Sequence, residues 1–408
     1  MRALILAAGE GTRLKPITDR IPKPLIMVGG KPLLTHTMMA LKEVGVNQVT
    51  ILVGFQGESI RKHYLRGQEL GLEIDYLEQK ERKGTAHAIG MAENHFNEPF
   101  FCIAGDVMAS TRDLRMMSEV HQREGVSVMA TAAVKNPSAY GVVEVKNDRM
   151  LGIVEKPQKP IGNQINASIY LLEPSIFRYI SQTECSKRGE YEITDSLTLM
   201  SRGQGVAVHE LRDDWIDIGS PWDLLVANER IMSRMETRIE GKVEEGCYLH
   251  GKVVVEKGAR IRSGSYIEGP VYISSGCDIG PNCYIRAYTC LGPDCRIGNA
   301  CEVKNSLVFS GSKIPHHNYV GDSIIGSNCN LGAGTKVANL RFDHRNIIVN
   351  VKGKEVDTGR KKLGVIMGDN VNTGINSMIS PGTIIHRGAS IGPGAKARGV
   401  IGPDSFIR

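Results

Sequence analysis

Residues 261–303 read IRSGSYIEGPVYISSGCDIGPNCYIRAYTCLGPDCRIGNACEV. An aliphatic residue occupies every sixth position of this stretch, and small or branched residues follow four positions later. Internal repetition with so short a period predicts a parallel β-helix, whose stacked coils share one interior. After an interruption the period resumes at positions 325–337 and 367–391. The aliphatic positions are Ile261, Ile267, Ile273, Ile279, Ile285, Leu291, Ile297 and Val303.

Four of the small residues in this repeat are cysteines: Cys277, Cys283, Cys295 and Cys301. We expect their side chains to line the interior, with metal binding or redox chemistry as the alternative. The nine cysteines of the chain include no CxxC pair, which favours a reducing cytoplasm over a disulfide scaffold. The apolar run at the start of the chain is too short for a membrane span or a signal peptide.

The chain changes character near residue 238. Its 408 residues exceed the size at which one hydrophobic core usually stops growing, so we predict domains at 1–237 and 238–408. The first would end in a linker helix at about 221–237. A hydrophobic content of 41% is ordinary for a globular protein, and a net charge of +6 suits anionic small substrates without indicating nucleic acid or a membrane surface.

Strand-like and helix-like segments alternate in the first domain. Apolar strands are predicted at 48–53 and 100–104, and they are followed by helices at 58–65 and 112–124. This alternation predicts a doubly wound α/β fold, whose parallel sheet binds ligands at the carboxyl ends of its strands.

Residues 2–31 read RALILAAGEGTRLKPITDRIPKPLIMVGGK. A buried strand at 2–8 leads into a glycine turn that can aim backbone N–H groups outward. Arg13 and Lys23 add positive charge, although neither a Walker loop nor GxGxxG is present. Taken alone, such a turn is either a phosphate cradle or a tight connection.

The whole string LAAGxGTRLxPxTxxxPKPLxxVxxKP resembles the signature of sugar-1-phosphate nucleotidylyltransferases, which have a Rossmann-like nucleotidyltransferase domain. The resemblance implies that the glycine turn and Arg13 hold the β and γ phosphates of a nucleoside triphosphate, with Lys23 on the α phosphate. Catalysis would then rest on positioning and electrostatic stabilisation. The remaining residues of this nucleotide site are Ala8, Gly9, Gly11 and Thr12.

Further segments match the same family. Gln79, Gly84 and Thr85 fall in its base-reading segment, although the latter two could simply begin a helix. Asp106 and Asp217 each follow an apolar run, and the resemblance places one Mg²⁺ between them. The alternative for Asp217 is a helix cap.

The sugar side resembles two branches of the family. Gly141, Glu155, Lys156 and Asn166 match its contacts to a sugar 1-phosphate. The EKP string resembles glucose-1-phosphate thymidylyltransferases, and Asn166-Ala167-Ser168 stands where uridylyltransferases have NTG. The resemblance therefore leaves both UTP and dTTP as substrates.

Residues 304–345 depart from the hexapeptide frame and contain HHNYVGDSIIGSNCNLGAG at 316–334. This segment resembles the acetyltransferase half of bifunctional glucosamine-1-phosphate acetyltransferase/N-acetylglucosamine-1-phosphate uridylyltransferase. The match implies that His316 is the general base that deprotonates a sugar amine. Two adjacent histidines would face opposite sides of an extended segment, and the spacing to Tyr319 selects His316 over His317. Pro315 stands where the family commonly has glycine.

The same resemblance implies the remaining contacts of an acetyl-transfer site. The amino-sugar phosphate would meet Arg286, Lys304, Tyr319 and Asn330, whereas acetyl-CoA would meet Ala333, Asn339 and Arg345. The hexads resemble the left-handed β-helix of hexapeptide acyltransferases, which usually form trimers. We therefore expect a homotrimer or a higher homo-oligomer.

Three functions follow from these patterns. The first is a bifunctional enzyme that acetylates glucosamine 1-phosphate and then makes UDP-N-acetylglucosamine, with galactosamine 1-phosphate, glucose 1-phosphate and dTTP left open as further substrates. The second is a nucleotidylyltransferase whose β-helix serves assembly or regulation. The third is a non-catalytic scaffold related to subunits of a translation-factor exchange complex, which the intact Lys23, Asp106 and Asp217 disfavour.

Overall fold

The computed structural model describes residues 1–212 and 215–408. They form two compact units. The first consists of Met1–Glu10, Pro22–Leu25 and Leu33–Asp217, and the second of Gly11–Ile21, Ile26–Pro32 and Ile218–Arg408. The second unit therefore includes part of the opening glycine turn.

A nine-stranded sheet forms the centre of the first unit, with the strands in the order β3-β2-β1-β4-β8-β5-β9-β7-β6. Strand β1 pairs in parallel with β2 and β4, as the βαβ pattern predicts. Strand β8 is antiparallel to both β4 and β5, so the sheet is mixed. The strands are β1 (Arg2–Ala7), β2 (Gln48–Val53), β3 (Glu73–Glu78), β4 (Phe100–Ala104), β5 (Val128–Ala133), β6 (Gly141–Lys146), β7 (Arg149–Glu155), β8 (Gln164–Leu172) and β9 (Ala207–Glu210).

The described residues contain seven α-helices, of which the first six belong to the first unit and the last to the second: α1 (Leu33–Glu43), α2 (Gly57–Tyr64), α3 (Thr85–Gly90), α4 (Thr111–Glu124), α5 (Ile176–Ser181), α6 (Ile193–Gly203) and α7 (Asp223–Arg234). The predicted helices at 58–65 and 112–124 are present within one residue of each end. The linker helix predicted at about 221–237 extends beyond the observed α7 at both ends. The carboxylate of Asp223 accepts a hydrogen bond from the Ser220 N–H, and Met235 is already extended.

Short elements complete the chain. Val107–Met108 pairs with Ile216–Asp217, and Met27–Val28 pairs with Lys31–Pro32. Single 3₁₀ turns lie at Thr12–Leu14, Ile17–Asp19, Lys23–Leu25, Gln68–Leu70, Glu93–His95 and Pro137–Ala139. Among the described residues, no helix is both long enough and apolar enough to cross a bilayer.

Three parallel sheets form the β-helix of the second unit, which we call the first, second and third faces. The first face contains Arg238–Ile239, Val253–Val255, Val271–Ile273, Thr289–Leu291, Leu307–Val308, Ile324–Ile325, Val365–Met367, Thr383–Ile385 and Val400–Ile401. The second contains Lys242–Val243, Arg260–Ile261, Asp278–Ile279, Arg296–Ile297, Lys313–Ile314, Asn330–Leu331, Asn372–Thr373, Ser390–Ile391 and Phe406–Ile407. The third contains Tyr248–His250, Tyr266–Glu268, Tyr284–Ile285, Glu302–Lys304, Tyr319–Gly321, Lys336–Val337, Met378–Ile379 and Lys396–Ala397.

The hexapeptide frame marks the interior of this β-helix. All eight aliphatic side chains from Ile261 to Val303 are fully buried in one cluster. The four cysteines belong to the same cluster as free thiols, which confirms their prediction as interior small residues. Burial raises the pKa of Cys283 to about 12, so this thiol stays protonated and unreactive.

Residues 304–345 depart from the hexapeptide frame, as predicted, but the β-helix continues through most of that segment. Ile273 pairs with Leu291, 18 positions on, whereas Leu291 pairs with Val308 and Val308 with Ile325, each 17 positions on. The coils therefore continue, but each is one residue shorter. The chain leaves the coils only between Val337 and Val365, in an excursion that contains the antiparallel hairpin of Ile348–Val351 and Lys354–Asp357.

Candidate active sites

The carboxyl ends of β1 and β4 carry the first group of candidate residues. A Cβ on Gly105 would lie 2.9 Å from the Leu6 carbonyl oxygen, so only glycine lets β4 end this close to β1. Asp106 follows directly. A Cβ on Gly9 would meet no heavy atom within 4 Å, and Ala8 is buried beside it. The turn after β1 is therefore open to solvent on the Cβ side of Gly9.

Lys23 and Asp106 form a close ion pair, with 2.6 Å between Lys23 Nζ and Asp106 Oδ2. Lys23 is buried, whereas the Asp106 side chain is about one-third exposed. Asp217 pairs with Val107, the residue after Asp106, so the strand pairing brings the two aspartates to neighbouring positions. The fold thus brings together three charged residues that span 194 positions of the sequence, from Lys23 to Asp217.

The rest of the opening turn belongs to the second unit. Gly11 has a left-handed backbone (φ 61°), and its carbonyl accepts a hydrogen bond of 2.8 Å from the Thr18 hydroxyl. Arg13 is exposed. Lys352, at the tip of the excursion hairpin, has its Nζ 3.0 Å from the Thr12 hydroxyl oxygen, a contact that sequence reasoning missed.

The predicted base-reading segment is tightly fixed. Gly84 has φ 112°, and a Cβ there would lie 2.3 Å from the Tyr191 carbonyl oxygen. The Thr85 hydroxyl accepts a hydrogen bond of 2.9 Å from the Ile193 N–H, so part of its role is to anchor α6. Gln79 is buried at the end of β3, and its amide contacts the His87 ring.

Two of the predicted sugar contacts face each other across β6 and β7. Gly141 pairs with Glu155, and a Cβ on Gly141 would lie 2.7 Å from Glu155 Oε2. Burial, followed by the nearby Glu192 carboxylate, raises the pKa of Glu155, although Arg188 lies 3.4 Å away. Lys156 is exposed with φ 46°. The Glu155 carboxylate can therefore accept further hydrogen bonds, and the exposed Lys156 cation follows it in the chain.

Asn166 lies where the pairing of β8 with β5 is irregular. Its amide contacts the Tyr170 hydroxyl at 2.7 and 2.9 Å and accepts from the Ser168 N–H at 3.0 Å. The Trp215 ring N–H donates to the Ala167 carbonyl, which fixes the neighbouring backbone. Asn166 is therefore held in place by buried Tyr170, a partner that sequence reasoning did not find.

Arg286 and Lys304 occupy equivalent positions on successive coils of the third face. The Arg286 backbone N–H donates to the Val303 carbonyl at 2.8 Å, and this hydrogen bond stacks Arg286 and Lys304 on successive coils. The Arg286 guanidinium lies 2.9 Å from Glu302 Oε1, and the Lys304 ammonium lies 3.2 Å from Asp322 Oδ2. Stacked cations of this kind suit a phosphate.

Asp322 is the organising residue of the second site. Its buried carboxylate accepts hydrogen bonds from Lys304, from the Asn305 amide (2.9 Å) and from the Asn339 amide (2.5 Å). The shortened coils create this cluster, because they place Asn305 and Asp322 at equivalent left-handed corners, 17 positions apart. Asp322 was part of the matched motif but received no role from the sequence.

The two histidines do not lie on an extended segment, and that part of the prediction is wrong. They form a bend between the strands Lys313–Ile314 and Tyr319–Gly321. His317 has a left-handed backbone (φ 51°), as do Ala300 and Gly334 at the equivalent corners of neighbouring coils. His317 therefore makes the turn. His316 precedes it with an exposed side chain.

The structure brings some of the remaining candidates together and not others. Gly334 donates to the His316 carbonyl, so Ala333 lies at the same corner one coil on. Asn330 is exposed on the second face, on the strand that leads to that corner. Arg345 instead lies in the excursion, where it is exposed and its N–H contacts Asp343.

Comparison with known proteins adds to this geometry. The nucleotidyl transferase family model matches residues 2–234, and a model of the GMPPB C-terminal domain matches residues 267–379. The chain is 41% identical to Bifunctional protein GlmU of Methanococcus maripaludis over 410 residues, which cover 100% of this chain and 97% of the relative. It is also 41% identical to a bifunctional sugar-1-phosphate nucleotidylyltransferase/acetyltransferase of Sulfurisphaera tokodaii, with complete coverage of both chains. The chain belongs to the family of bifunctional sugar-1-phosphate nucleotidylyltransferase/acetyltransferases.

A further relative links this bifunctional family to thymidylyltransferases. Glucose-1-phosphate thymidylyltransferase of Streptomyces antibioticus is 34% identical over 266 residues, which cover 64% of this chain and 74% of the relative. The bifunctional relatives match both units, whereas this one spans a smaller part of the chain. Membership of the bifunctional family makes the protein both a nucleotidyltransferase and an acetyltransferase.

Gly321 offers a test of the cluster around Asp322 as the predicted acetyl-transfer site. A Cβ on Gly321 would lie 2.6 Å from the Asn339 amide nitrogen and 2.7 Å from the Tyr319 hydroxyl. We expect Gly321→Ala to displace both groups and to lower kcat/KM for acetyl transfer roughly 10²-fold. Ala338 occupies the equivalent position one coil on, so the β-helix accepts alanine there. Steady-state kinetics measure the effect, and unchanged acetyl transfer in Gly321→Ala would show that Tyr319 and Asn339 are not part of the acetyl-transfer site. Nucleotidyl transfer by the same variant, which should not change, is the internal control.

Proposed function

We propose that the chain acetylates glucosamine 1-phosphate with acetyl-CoA and then transfers a uridylyl group from UTP to N-acetylglucosamine 1-phosphate. The products would be coenzyme A, UDP-N-acetylglucosamine and pyrophosphate. The observation that carries the proposal is the presence of two separate charged clusters in one chain. One contains Lys23 and Asp106, and the other contains Lys304 and Asp322.

In the acetyl-transfer step, Arg286 and Lys304 hold the phosphate of the amino sugar. The amine is protonated at neutral pH, and it can attack the thioester carbon only after it loses a proton. His316 accepts that proton, the C–N bond forms, the bond from the acetyl carbon to sulfur breaks, and the second proton that the nitrogen loses goes to the departing thiolate of coenzyme A. Tyr319 and Asn330 orient the sugar, and Asn339 with the Ala333 backbone meets the acetyl end of acetyl-CoA. Arg345 contacts the cofactor only if its segment moves to the site.

In the uridylyl-transfer step, a phosphate oxygen of the sugar attacks the α phosphorus and pyrophosphate leaves. Gly11, Thr12 and Arg13 hold the leaving phosphates, and Lys23 lies on the α phosphate. Because charge grows on the departing group, fixed cations stabilise the transition state more than the ground state. Gln79, Gly84 and Thr85 meet the base, whereas Gly141, Glu155, Lys156 and Asn166 meet the sugar.

Magnesium belongs to the second step. Asp106 and Asp217 supply carboxylate oxygens at neighbouring backbone positions, which suits a small hard cation. In the described residues, no group of three or more His, Cys, Asp or Glu side chains could hold a metal alone. Mg²⁺ usually completes its coordination with phosphates and water. When bound, the ion would neutralise charge on the phosphates. Before the ion binds, the Lys23 ammonium balances the negative charge of the Asp106 carboxylate.

Assembly and domain roles are part of the same proposal. The uridylyl-transfer domain is assigned to residues 1–237 and the acetyltransferase domain to 238–408. A homotrimer is supported by exposed large side chains on the third face, where a second copy would cover them. These residues are Tyr248, Tyr266, Tyr284 and Met378. A cytoplasmic location completes the proposal.

A substrate matrix tests the proposed function. UTP, dTTP, ATP and GTP are crossed with glucose, glucosamine, galactosamine and N-acetylglucosamine 1-phosphates, with and without acetyl-CoA. We expect the highest kcat/KM for UTP with N-acetylglucosamine 1-phosphate, and measurable turnover of dTTP with glucose 1-phosphate. Free coenzyme A should appear only with an amino sugar. A chain that turns over ATP or GTP best would refute the proposal.

The alternative of a nucleotidylyltransferase whose β-helix serves only assembly is not supported by the full-length bifunctional relatives. The cluster of Lys304, Tyr319, Asp322 and Asn339 argues against it, because four polar groups converge there without any need in a purely structural coil. Release of coenzyme A in the substrate matrix separates the two candidates.

A further inference from the structure

The excursion hairpin carries at its tip a lysine that contacts the glycine turn. Lys352 Nζ lies 3.0 Å from the Thr12 hydroxyl oxygen, although the two residues are 340 positions apart in the sequence. Both residues belong to the second unit, as do Gly11 and Arg13. An ammonium group can only donate hydrogen bonds, so the Thr12 oxygen accepts and its hydroxyl hydrogen remains for another acceptor. Lys352 and Thr12 can therefore donate to the same anionic group.

The positive charge at this part of the glycine turn is not neutralised by the protein. In the part of the chain that the structure describes, neither Lys352 nor Arg13 forms an ion pair, and both side chains are exposed. Lys15, in the same segment, is instead paired with Asp19 at 3.5 Å. An unpaired lysine that contacts Thr12 and an unpaired arginine that follows Thr12 suit a ligand with several anionic oxygens, such as a phosphate chain.

The turn that presents Lys352 is an unusual place for a lysine. Lys352 and Gly353 form the two-residue turn of the hairpin, with φ angles of 51° and 80°, and the Gly353 N–H donates to Asn350 Oδ1 at 2.9 Å. Turns with two positive φ angles favour asparagine, aspartate or glycine at the first position. The two-residue turn between β6 and β7 follows this rule with Asn147. Turn geometry alone therefore does not explain the lysine at 352, and its side chain needs another role.

Both partners of the contact are held by neighbouring coils of the β-helix. At the base of the hairpin, Ile347 is buried, and a Cβ on Gly382 would lie 2.5 Å from its Cγ2 atom. Beyond the glycine turn, a Cβ on Gly368 would lie 3.0 Å from the Cβ of Pro16. Gly368 and Gly382 adjoin paired strands of the first face. The contact between Lys352 and Thr12 thus joins two segments that pack against the same part of the β-helix.

We propose that Lys352 is a further catalytic residue of nucleotidyl transfer, which binds the departing pyrophosphate together with Thr12 and Arg13. This inference rests on the part of the proposed function that assigns the leaving phosphates to Gly11, Thr12 and Arg13. It goes further, because a residue of the β-helix excursion then takes a direct part in nucleotidyl transfer.

The chemistry of the step explains how an ammonium group at this place would act. As an oxygen of the sugar phosphate bonds to the α phosphorus, the bond from the α phosphorus to the bridging oxygen breaks, and its electron pair stays on pyrophosphate. Negative charge on the leaving group therefore increases, and a fixed ammonium stabilises the transition state more than the ground state. Lys352 gives up no proton in this step. Its charge and its hydrogen bonds alone matter, so arginine should be able to replace it.

Lys352→Asn in the full-length chain tests the inference. The substitution removes the ammonium group and introduces a residue that this kind of turn favours, so the hairpin should keep its fold. We expect kcat/KM for UTP to fall by about 10- to 100-fold, the scale of one hydrogen bond to a charged group. In the reverse reaction, the KM for pyrophosphate should rise by a similar factor, whereas the KM for UDP-N-acetylglucosamine should not change. Lys352→Arg should retain most of the activity.

The matched control is Lys354→Asn, which makes the same chemical change at an exposed lysine of the same hairpin and should leave both reactions unchanged. Acetyl transfer by each preparation reports that the variant is folded. A wild-type KM for pyrophosphate in Lys352→Asn would overturn the inference. An equal loss of activity in Lys352→Arg and Lys352→Asn would overturn it as well, because the charge would then not be the cause.

The outcomes also separate this inference from the proposed function. The variants are compared with the nucleoside triphosphate and the sugar 1-phosphate that the wild-type enzyme uses best. If that triphosphate is ATP or GTP, the proposed function fails, and the Lys352 variants still decide this inference. If the wild-type enzyme prefers UTP and Lys352→Asn matches it, only this inference fails. If the wild-type enzyme releases pyrophosphate from no nucleoside triphosphate, both fail.

Discussion

Asp106→Ala is expected to abolish magnesium-dependent uridylyl transfer and to leave acetyl transfer unchanged. The substitution removes a proposed metal ligand, and it also leaves the buried Lys23 ammonium without its carboxylate partner 2.6 Å away. We expect kcat to fall by roughly 10²- to 10³-fold or more, the scale on which one preorganised charged group stabilises a transition state. Pyrophosphate release, followed over a series of Mg²⁺ concentrations, measures the loss.

Two controls define the Asp106 result. Asp75→Ala removes a carboxylate on β3 that contacts Arg66 and is more exposed than Asp106. This substitution should have little effect on uridylyl transfer. Coenzyme A release by Asp106→Ala should equal that of the wild-type enzyme. Uridylyl transfer at the wild-type rate in Asp106→Ala would refute the metal role of this residue. Equal loss of both activities would indicate a folding defect instead.

His316→Ala is expected to have the mirror-image effect. Without a base beside the amine, acetyl transfer should fall by roughly 10²- to 10⁴-fold, the usual contribution of a positioned general base. Uridylyl transfer should not change, because His316 lies at a β-helix corner outside the residues assigned to that step. Coenzyme A release with glucosamine 1-phosphate measures the first activity, and pyrophosphate release measures the second.

The neighbouring histidine provides the matched control for His316. His317 holds a left-handed corner with φ 51°, and asparagine occupies the equivalent corner at Asn282 and Asn376. His317→Asn should therefore keep both the fold and acetyl transfer. If His317→Asn abolishes acetyl transfer while His316→Ala does not, the two residues have been assigned in the wrong order.

The hexapeptide frame and the opening motif could be predicted because each depends on local rules. An interior position of a β-helix accepts only apolar or small side chains, so Ile297 and Cys295 are recognisable from their spacing alone. Lys23 was recognisable from the family string, and Asp106 from its place after an apolar run. The contact between Lys23 and Asp106 could be found only from the structure, because these residues are 83 positions apart in the sequence.

The role of Asp322 could not be obtained from spacing. Shortening a corner by one residue keeps the interior alternation of each strand, and so the sequence shows only a broken frame. The structure shows that the shortened corners stack Asn305 on Asp322 and direct Lys304 and Asn339 to the same carboxylate. In the same way, the left-handed turn at His317 is invisible in a pattern that suggests extended backbone.

The central claim is that one chain performs acetyl transfer and then uridylyl transfer. The most direct measurement incubates the purified full-length chain with glucosamine 1-phosphate, acetyl-CoA, UTP and Mg²⁺, and identifies the nucleotide sugar by mass spectrometry. The account predicts UDP-N-acetylglucosamine, with one coenzyme A and one pyrophosphate released per product and none of this product formed without acetyl-CoA. UDP-glucosamine as the product in the presence of acetyl-CoA, or no coenzyme A release, would contradict it.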